Sequence, residues 1–407
     1  MRILILTWEY PPRIIGGLSR HVYNLAHALA KKGVEIHILT CSDFGNTRIE
    51  KDGEIFVHRI KPLYLPGENF LLWVNHFNMA IIEHAIKLNN DQEFDIIHAH
   101  DWITAFAGRI LKHSYYIPLI TTIHATESGR NNGIHNETQN YISSIEWWLT
   151  YESWRVICCS KYMEEELRFL FNIPIDKLRI IPNGIQVNDL KNTDKSFNRR
   201  QYASDDEKIV FFIGRNVEEK GIHILLKAIP LVVSRFPNVK FVIAGTGPKH
   251  DQLKALAQQI GILQKTCFVG YIDDRKRNSF FENSQIAVFP SLYEPFGIVA
   301  LEAMACKLPV IVGDTGGFKE IVRHEIDGIR VTPGSEKELA NAILDLLFDP
   351  SKSEKIGNNG YKNAVENYSW DKIADKTINV YREVLYEYEN SSWQMEKYNI
   401  KYPLVTY

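Results

Sequence analysis

Apolar positions along the chain fall into two alternating series. Residues 2–7 form a nearly unbroken apolar run, which predicts a strand buried on both faces. Leu18, Val22, Leu25, Ala26 and Leu29 then recur at helical spacing, Gly33 ends that helix, and residues 34–39 give another strand, so the chain opens as a βαβ unit. Further strands are predicted at 95–98, 118–123 and 156–159. Residues 70–88 read as a helix used in core packing, because they lack the Lys/Arg face of a membrane-surface helix. Residues 189–208 are polar, charged and aperiodic, and read as a linker. A second series follows, with a strand at 209–213, a helix at 222–229, strands at 239–244 and 268–269, and a strand ending near Phe289. A helix from Ile298 and a strand at 309–312 continue it. A last helix starts at Tyr368-Ser-Trp-Asp371 and carries Ile373, Ile378, Val380 and Val384 on its apolar side. The pattern predicts an α/β protein with two doubly wound domains, over residues 1–190 and 191–367, and a C-terminal helix and tail over 368–407.

Residues 290–315 hold the strongest chemical signal. A strand runs into the loop Tyr293-Glu294-Pro295-Phe296-Gly297, and the helix that follows is apolar at Val299, Ala300, Leu301, Ala303, Met304 and Ala305 yet carries Glu302. A carboxylate in such surroundings is costly unless it is paired or hydrogen-bonded. The helix N-terminus, with its free amides and positive dipole end, suits a phosphate. Glu294 and Glu302 bracket it, which points to a sugar joined to a nucleotide through a diphosphate.

Glu294-x-Phe-Gly297 with Glu302, the Glu-Ala-Met-Ala run and the Pro-Val-Ile strand together resemble the donor-site signature of retaining GT-B glycosyltransferases of the family 4 type, which includes many glycogen and sucrose synthases. The resemblance implies two Rossmann-like domains facing a cleft, with the last helix crossing back to the first domain. It also implies that Glu294 faces the transferred sugar, that the amides of Phe296, Gly297 and Ile298 face the diphosphate, and that Glu302 holds the ribose hydroxyls.

In the first domain the segment from Glu9 to Gly16 and Gly17 lies between strand and helix, where paired glycines let backbone approach a ligand. It is not Gly-x-Gly-x-x-Gly, so a nicotinamide-binding turn is not supported. It resembles the Gly-Gly-Leu turn that approaches the donor diphosphate in the family, and Glu9 resembles the acidic residue that faces the sugar site there. Two strands end in His100-Asp101-Trp102 and in His124-Ala-Thr-Glu, at the carboxyl edge where open parallel sheets bind ligands. These loops resemble the acceptor- and sugar-contacting loops of glycogen and starch synthases, which implies roles for Asp101, Trp102 and His124. The Gly-Arg130 loop and Ser-x-Glu-Trp-Trp pattern resemble bacterial glycogen synthases and maltose-1-phosphate synthases, and place Arg130 near the acceptor. Trp147, Trp148 and Trp154, at helical spacing, are expected to pack in the core.

In the second domain Arg215 and Lys220 stand five residues apart on the loop after the first strand, a planar fork and a point charge suited to one diphosphate. The resemblance assigns them to the donor. Gly245-Thr-Gly247 reads as a turn.

A chain of 407 residues is long enough for two cores, and its formal net charge of −2 has no block of like charge behind it. Nucleic acid and anionic membranes are therefore not expected partners. The five cysteines sit in or beside apolar runs without metal-ligand spacing, which fits a reducing cytoplasm, and the N-terminal apolar run is too short for a signal peptide. No Asp-x-Asp pair is present to hold a metal on a diphosphate. The missing pair predicts a metal-independent reaction, and the resemblance implies that it is glucosyl transfer with no cofactor beyond the co-substrate, ADP-glucose or UDP-glucose. The expected acceptor is an α-1,4-glucan or glucose 1-phosphate; retention of configuration comes from the resemblance. Rivals are a GT-B epimerase, a phosphorylase, for which no pyridoxal-binding lysine is identified, a relative that glycosylates another acceptor such as a surface glycolipid, and a nucleotide-sugar- or glucan-binding protein without turnover.

Overall fold

The computed structural model describes residues 1–42, 45–64 and 69–394. It divides into two compact units, one of Met1–Cys159, Met163–Pro182 and Trp370–Tyr407, the other of Ser160–Tyr162 and Asn183–Ser369. Of the expected C-terminal tail, residues 395–407 lie outside the described residues.

The first unit is built on eight strands: β1 (Arg2–Leu6), β2 (Glu35–Cys41), β3 (Arg48–Asp52), β4 (Ile55–Ile60), β5 (Ile96–His100), β6 (Leu119–Ile123), β7 (Arg155–Cys158) and β8 (Leu178–Ile180). Their order is β3-β4-β2-β1-β5-β6-β7-β8, parallel throughout except for the edge strand β3. The β3–β4 hairpin was not read from the hydrophobic pattern, because β3 is mostly exposed and polar; its Asp52-Gly53 turn is the signal it leaves. Six helices, α1 (Gly17–Lys31), α2 (Phe70–Asp91), α3 (Ala105–Tyr115), α4 (Glu127–Asn131), α5 (Glu137–Glu152) and α6 (Lys161–Phe171), connect the strands. On α1 the predicted residues Leu18, Val22, Leu25, Ala26 and Leu29 are the buried stripe. Helix α2 buries Val74, Phe77, Ile81 and Ala85 but leaves Phe70, Leu72, Met79 and Ile86 exposed, so only one face does the predicted core packing. Trp147 is 46% exposed and stacks on Tyr151 one turn along, which corrects its expected place in the core.

The second unit carries α7 (Val187–Leu190), β9 (Lys208–Ile213), α8 (Ile222–Val233), β10 (Val239–Ala244), α9 (His250–Gln259), β11 (Thr266–Gly270), α10 (Asp274–Asn283) and β12 (Ile286–Phe289). It continues with α11 (Ile298–Ala305), β13 (Val310–Gly313), α12 (Phe318–Ile321), β14 (Ile329–Val331), α13 (Glu336–Phe348) and α14 (Pro350–Asn367). The six strands run parallel in the order β11-β10-β9-β12-β13-β14. Residues 189–208, expected as a linker, are instead tied onto this unit. Asn278 on α10 donates to the carbonyls of Asp189 (2.8 Å) and Asn192 (3.0 Å), and the rings of Phe197 and Tyr202 pack on Phe280. The segment lacks periodicity because its order comes from contacts of irregular backbone with α10, not from a regular element of its own.

Helix α15 (Trp370–Glu389) completes the first unit. Ile373, Ala374, Ile378, Tyr381 and Val384 close over α1 and the central strands in one buried cluster with Ile3, Ile5, Leu25 and Ile36. The Tyr381 hydroxyl and the Thr122 hydroxyl clasp the buried His98 ring at 2.7 and 2.8 Å. Replacing Tyr381 by phenylalanine leaves a ring nitrogen of His98 unpaired, so unfolding in urea is expected to show a loss of about 1–3 kcal/mol.

Among the described residues no helix is long and apolar enough to cross a membrane. The cysteines are free thiols; Cys41, Cys158 and Cys159 are buried, whereas Cys267 and Cys306 are only half-buried.

Candidate active site

In each sheet the strand order reverses at one place, beside β1 in the first unit and beside β9 in the second. Open α/β sheets bind ligands at the carboxyl ends of strands at such a switch point. The predicted residues lie on the loops that leave the carboxyl ends of the strands or on the helices that follow them: Gly17 on α1, Arg130 on α4, Ile298 and Glu302 on α11.

In the first unit Glu9 follows β1 and is buried. Its Oε2 accepts the N–H groups of Ile15 (2.8 Å) and Gly16 (3.0 Å). The Gly16 amide expected at the donor diphosphate is therefore bonded to Glu9, and that carboxyl oxygen is turned onto the loop rather than offered to a sugar. A Cβ on Gly16 would meet nothing within 4 Å, so the protein's own packing does not demand glycine there, and Gly17 begins α1. Burial raises the Glu9 carboxyl above its ordinary range against the pull of the two amides.

Asp101, after β5, is held at φ 58° and ψ 172°, a conformation that non-glycine residues seldom adopt and that concentrates at functional sites. Its Oδ1 accepts the backbone N–H of His124 at 2.7 Å, and Oδ2 lies 3.7 Å from the Arg130 guanidinium. Burial lifts its carboxyl to about 6, against the pull of Arg130. His124, after β6, shares a 3.1 Å hydrogen bond with His100, and its ring meets His21 edge-on. Burial pushes its imidazole down to about 3, and Arg130 adds to the effect, so the ring is neutral at neutral pH. The nitrogens of His21, His100 and His124 lie within 4.8 Å of one another, and among the described residues this is the group able to share a metal ion. Trp102, expected on the acceptor loop, is 4% exposed with Phe70 set edge-on against it, so its ring packs inside and supports that loop.

In the second unit Lys220 closes the loop after β9, and its ammonium pairs with Glu294 Oε2 at 2.8 Å. Glu294 also accepts from the Ser291 hydroxyl at 3.3 Å and is buried. Arg215 sits on the same loop, exposed. The loops are locked together by backbone: Leu292 N–H donates to Glu219 C=O, and a Cβ on Gly221, at φ 66°, would fall 2.0 Å from the Pro290 carbonyl oxygen. Gly297, at φ 104°, starts α11 without a side-chain cap, and a Cβ there would run into the Phe318 ring at 2.2 Å. Ile298 is half-buried at the first turn. Phe296 is 4% exposed with its ring beside Tyr368, so only its backbone is free to serve a ligand.

Glu302 is the carboxylate whose burial called for a partner, and Arg277 on α10 supplies it at 3.1 Å. The guanidinium is itself buried, bonded to Asp274 and through two nitrogens to Asn278 Oδ1. Arg277 was not singled out in the sequence, where it sits in the charged run Asp-Arg-Lys-Arg-Asn; its place one turn before Phe280 and Phe281 is the cue that it faces inward. Arg277→Lys keeps the charge but loses the fork, and a loss of about 1–3 kcal/mol in urea unfolding is expected.

The comparisons with known proteins bear on both units. Residues 15–189 match the sequence family described as Glycosyltransferase Family 4, and residues 194–363 match that described as Glycosyl transferases group 1. An uncharacterized glycosyltransferase of Methanocaldococcus jannaschii is 39% identical over 387 residues, covering 94% of this chain and 98% of its own. The chain belongs to the family 4 glycosyltransferases. A glycogen synthase of Mycobacterium tuberculosis is similar to this glycosyltransferase at 31% identity over 396 residues, covering 94% of each. The solved structure of sucrose-phosphate synthase from Thermosynechococcus elongatus superposes with a TM-score of 0.82 at 25% identity, covering 95% of this glycosyltransferase and 99% of that chain. The two parallel sheets of the glycosyltransferase are those of the GT-B fold, and its reaction class is hexosyl transfer.

Proposed function

We propose that this glycosyltransferase moves glucose from ADP-glucose or UDP-glucose to an α-1,4-glucan with retention of the anomeric configuration. The observation that carries the reading is the Lys220–Glu294 pair at the uncapped start of α11, with Glu302 buried on the same helix. A cation, a carboxylate and helix amides there match the charges and hydroxyls of a nucleotide sugar. Similarity to a glycogen synthase along nearly the whole chain supports the glucan as acceptor.

In this reading Arg215, Lys220 and the amides of Phe296, Gly297 and Ile298 neutralise the diphosphate, Gly17 lies near it, and Glu302 receives the ribose. Glu294 holds hydroxyls of the transferred glucose, and His124, neutral, lies at its C6 hydroxyl and anomeric carbon. Asp101 and Arg130 serve the acceptor, with Glu9 fixing the loop beside them. The acceptor hydroxyl forms its bond to the anomeric carbon on the face from which the diphosphate departs. The bond from that carbon to the phosphate oxygen breaks, and the leaving phosphate takes the acceptor's proton. No covalent nucleophile is required, and no step is assigned to a metal; stabilisation of the leaving charge falls to protein cations and dipoles.

The test is incubation of the purified protein with each nucleotide sugar, in parallel with a maltooligosaccharide and with glucose 1-phosphate. Nucleoside diphosphate release together with a lengthened α-linked glucan is the expected result. A disaccharide phosphate as the main product would replace the acceptor, and no release with any pairing would overturn the reading.

A further inference from the structure

Glu146, on α5, is 1% exposed and has no part in the reaction as assigned above. Both of its carboxyl oxygens accept the backbone N–H of Glu127, the first residue of α4, at 2.9 and 3.1 Å. Helix α4 is five residues long and is capped by Thr126, whose hydroxyl accepts from Gly129 and donates to Glu166 on α6. So short a helix has little stability of its own and takes its position from these attachments. It carries Arg130, which faces Asp101, and Asp101 in turn fixes the backbone of His124.

We propose that Glu146 is a positioning residue for the acceptor half of the site: it anchors α4 and thereby sets where the Arg130 guanidinium stands against Asp101. The proposal rests on the transfer reading given above. The charged groups facing Glu146 are Arg130 and Glu127 from α4 and Asp101 from the loop after β5, with Glu166 on α6 reaching the same cap through Thr126. Burial holds its carboxyl up at about 8, so the group changes state just above neutrality.

The experiment is steady-state kinetics of the full chain and of Glu146→Ala and Glu146→Gln, varying a maltooligosaccharide and the nucleotide sugar in turn from pH 6.5 to 9. Alanine leaves the α4 N-terminus without its acceptor, and acceptor KM is expected to rise about tenfold while donor KM stays within about twofold. Glutamine keeps a carbonyl oxygen for the Glu127 amide, so it is expected to restore acceptor KM at pH 7 and to flatten the change near pH 8 shown by the unaltered protein. The glutamine variant, close in shape to glutamate, carries the test if alanine does not fold. Donor and acceptor KM rising together, or a glutamine variant with the original pH profile, would overturn the proposal. A parent protein that transfers to no acceptor would overturn the transfer reading instead.

Discussion

Lys220→Ala is expected to lower kcat/KM for the nucleotide sugar by about two to three orders of magnitude, the usual consequence of removing one preorganised donor from a developing negative charge. The substitution also strips Glu294 of the partner that holds it at 2.8 Å, so binding of the sugar suffers along with stabilisation of the leaving diphosphate. Lys220→Arg keeps the charge but not its compact shape and should recover only part of the rate. Release of nucleoside diphosphate, followed in a coupled assay, measures both variants. A rate within about threefold of the parent for Lys220→Ala would remove the diphosphate role from this residue.

Below neutral pH the protein is expected to lose stability steeply. His58, His98 and His124 are pushed by burial to about 3, and His100 well below its ordinary value. An unfolded chain takes up these protons near pH 6.5, whereas the folded chain resists until far lower. The stabilisation is therefore complete above about 6.5 and is lost as pH falls, by roughly 1.4 kcal/mol per pH unit for each imidazole. Glu146 and Asp101 act in the opposite sense, since the folded state raises them to about 8 and about 6 and so holds their protons while the unfolded carboxyls are still ionised. Four imidazoles against these two carboxyls leave a net of about two protons, roughly 3 kcal/mol per unit between pH 6 and 5. Urea midpoints measured at half-unit steps check it; a midpoint flat from pH 7 to 5 would mean that the imidazoles are hydrated and charge freely.

The core strands of both sheets were legible because parallel strands buried on both faces leave apolar runs that little else produces. Helix α11 was equally plain, and the cost of burying Glu302 announced that a partner had to exist. Which residue it was could not be read, since Arg277 lies among solvated charges and only the packing of α10 turns it inward. Trp102 and Phe296 show the converse: a motif singles them out, but whether a ring is exposed or packed in the core depends on neighbours far away in sequence. For Glu9 the bonds to Ile15 and Gly16 depend on how one loop curls, and no spacing rule encodes that. The segment at 189–208 misled for a related reason, its order being borrowed from Asn278 and Phe280.

The place of α15 in the fold bears on how the protein comes off the ribosome. Apart from Ser160–Tyr162, the second unit is one continuous stretch, Asn183–Ser369, and can assemble while synthesis continues. The first unit has most of its chain out long before, yet the apolar flank of α1 and the ring of His98 await Trp370–Glu389, which emerge only after the whole of that stretch. Until α15 emerges that flank is a sticky, half-built surface, and a chain cut short after Ser369 would keep it permanently.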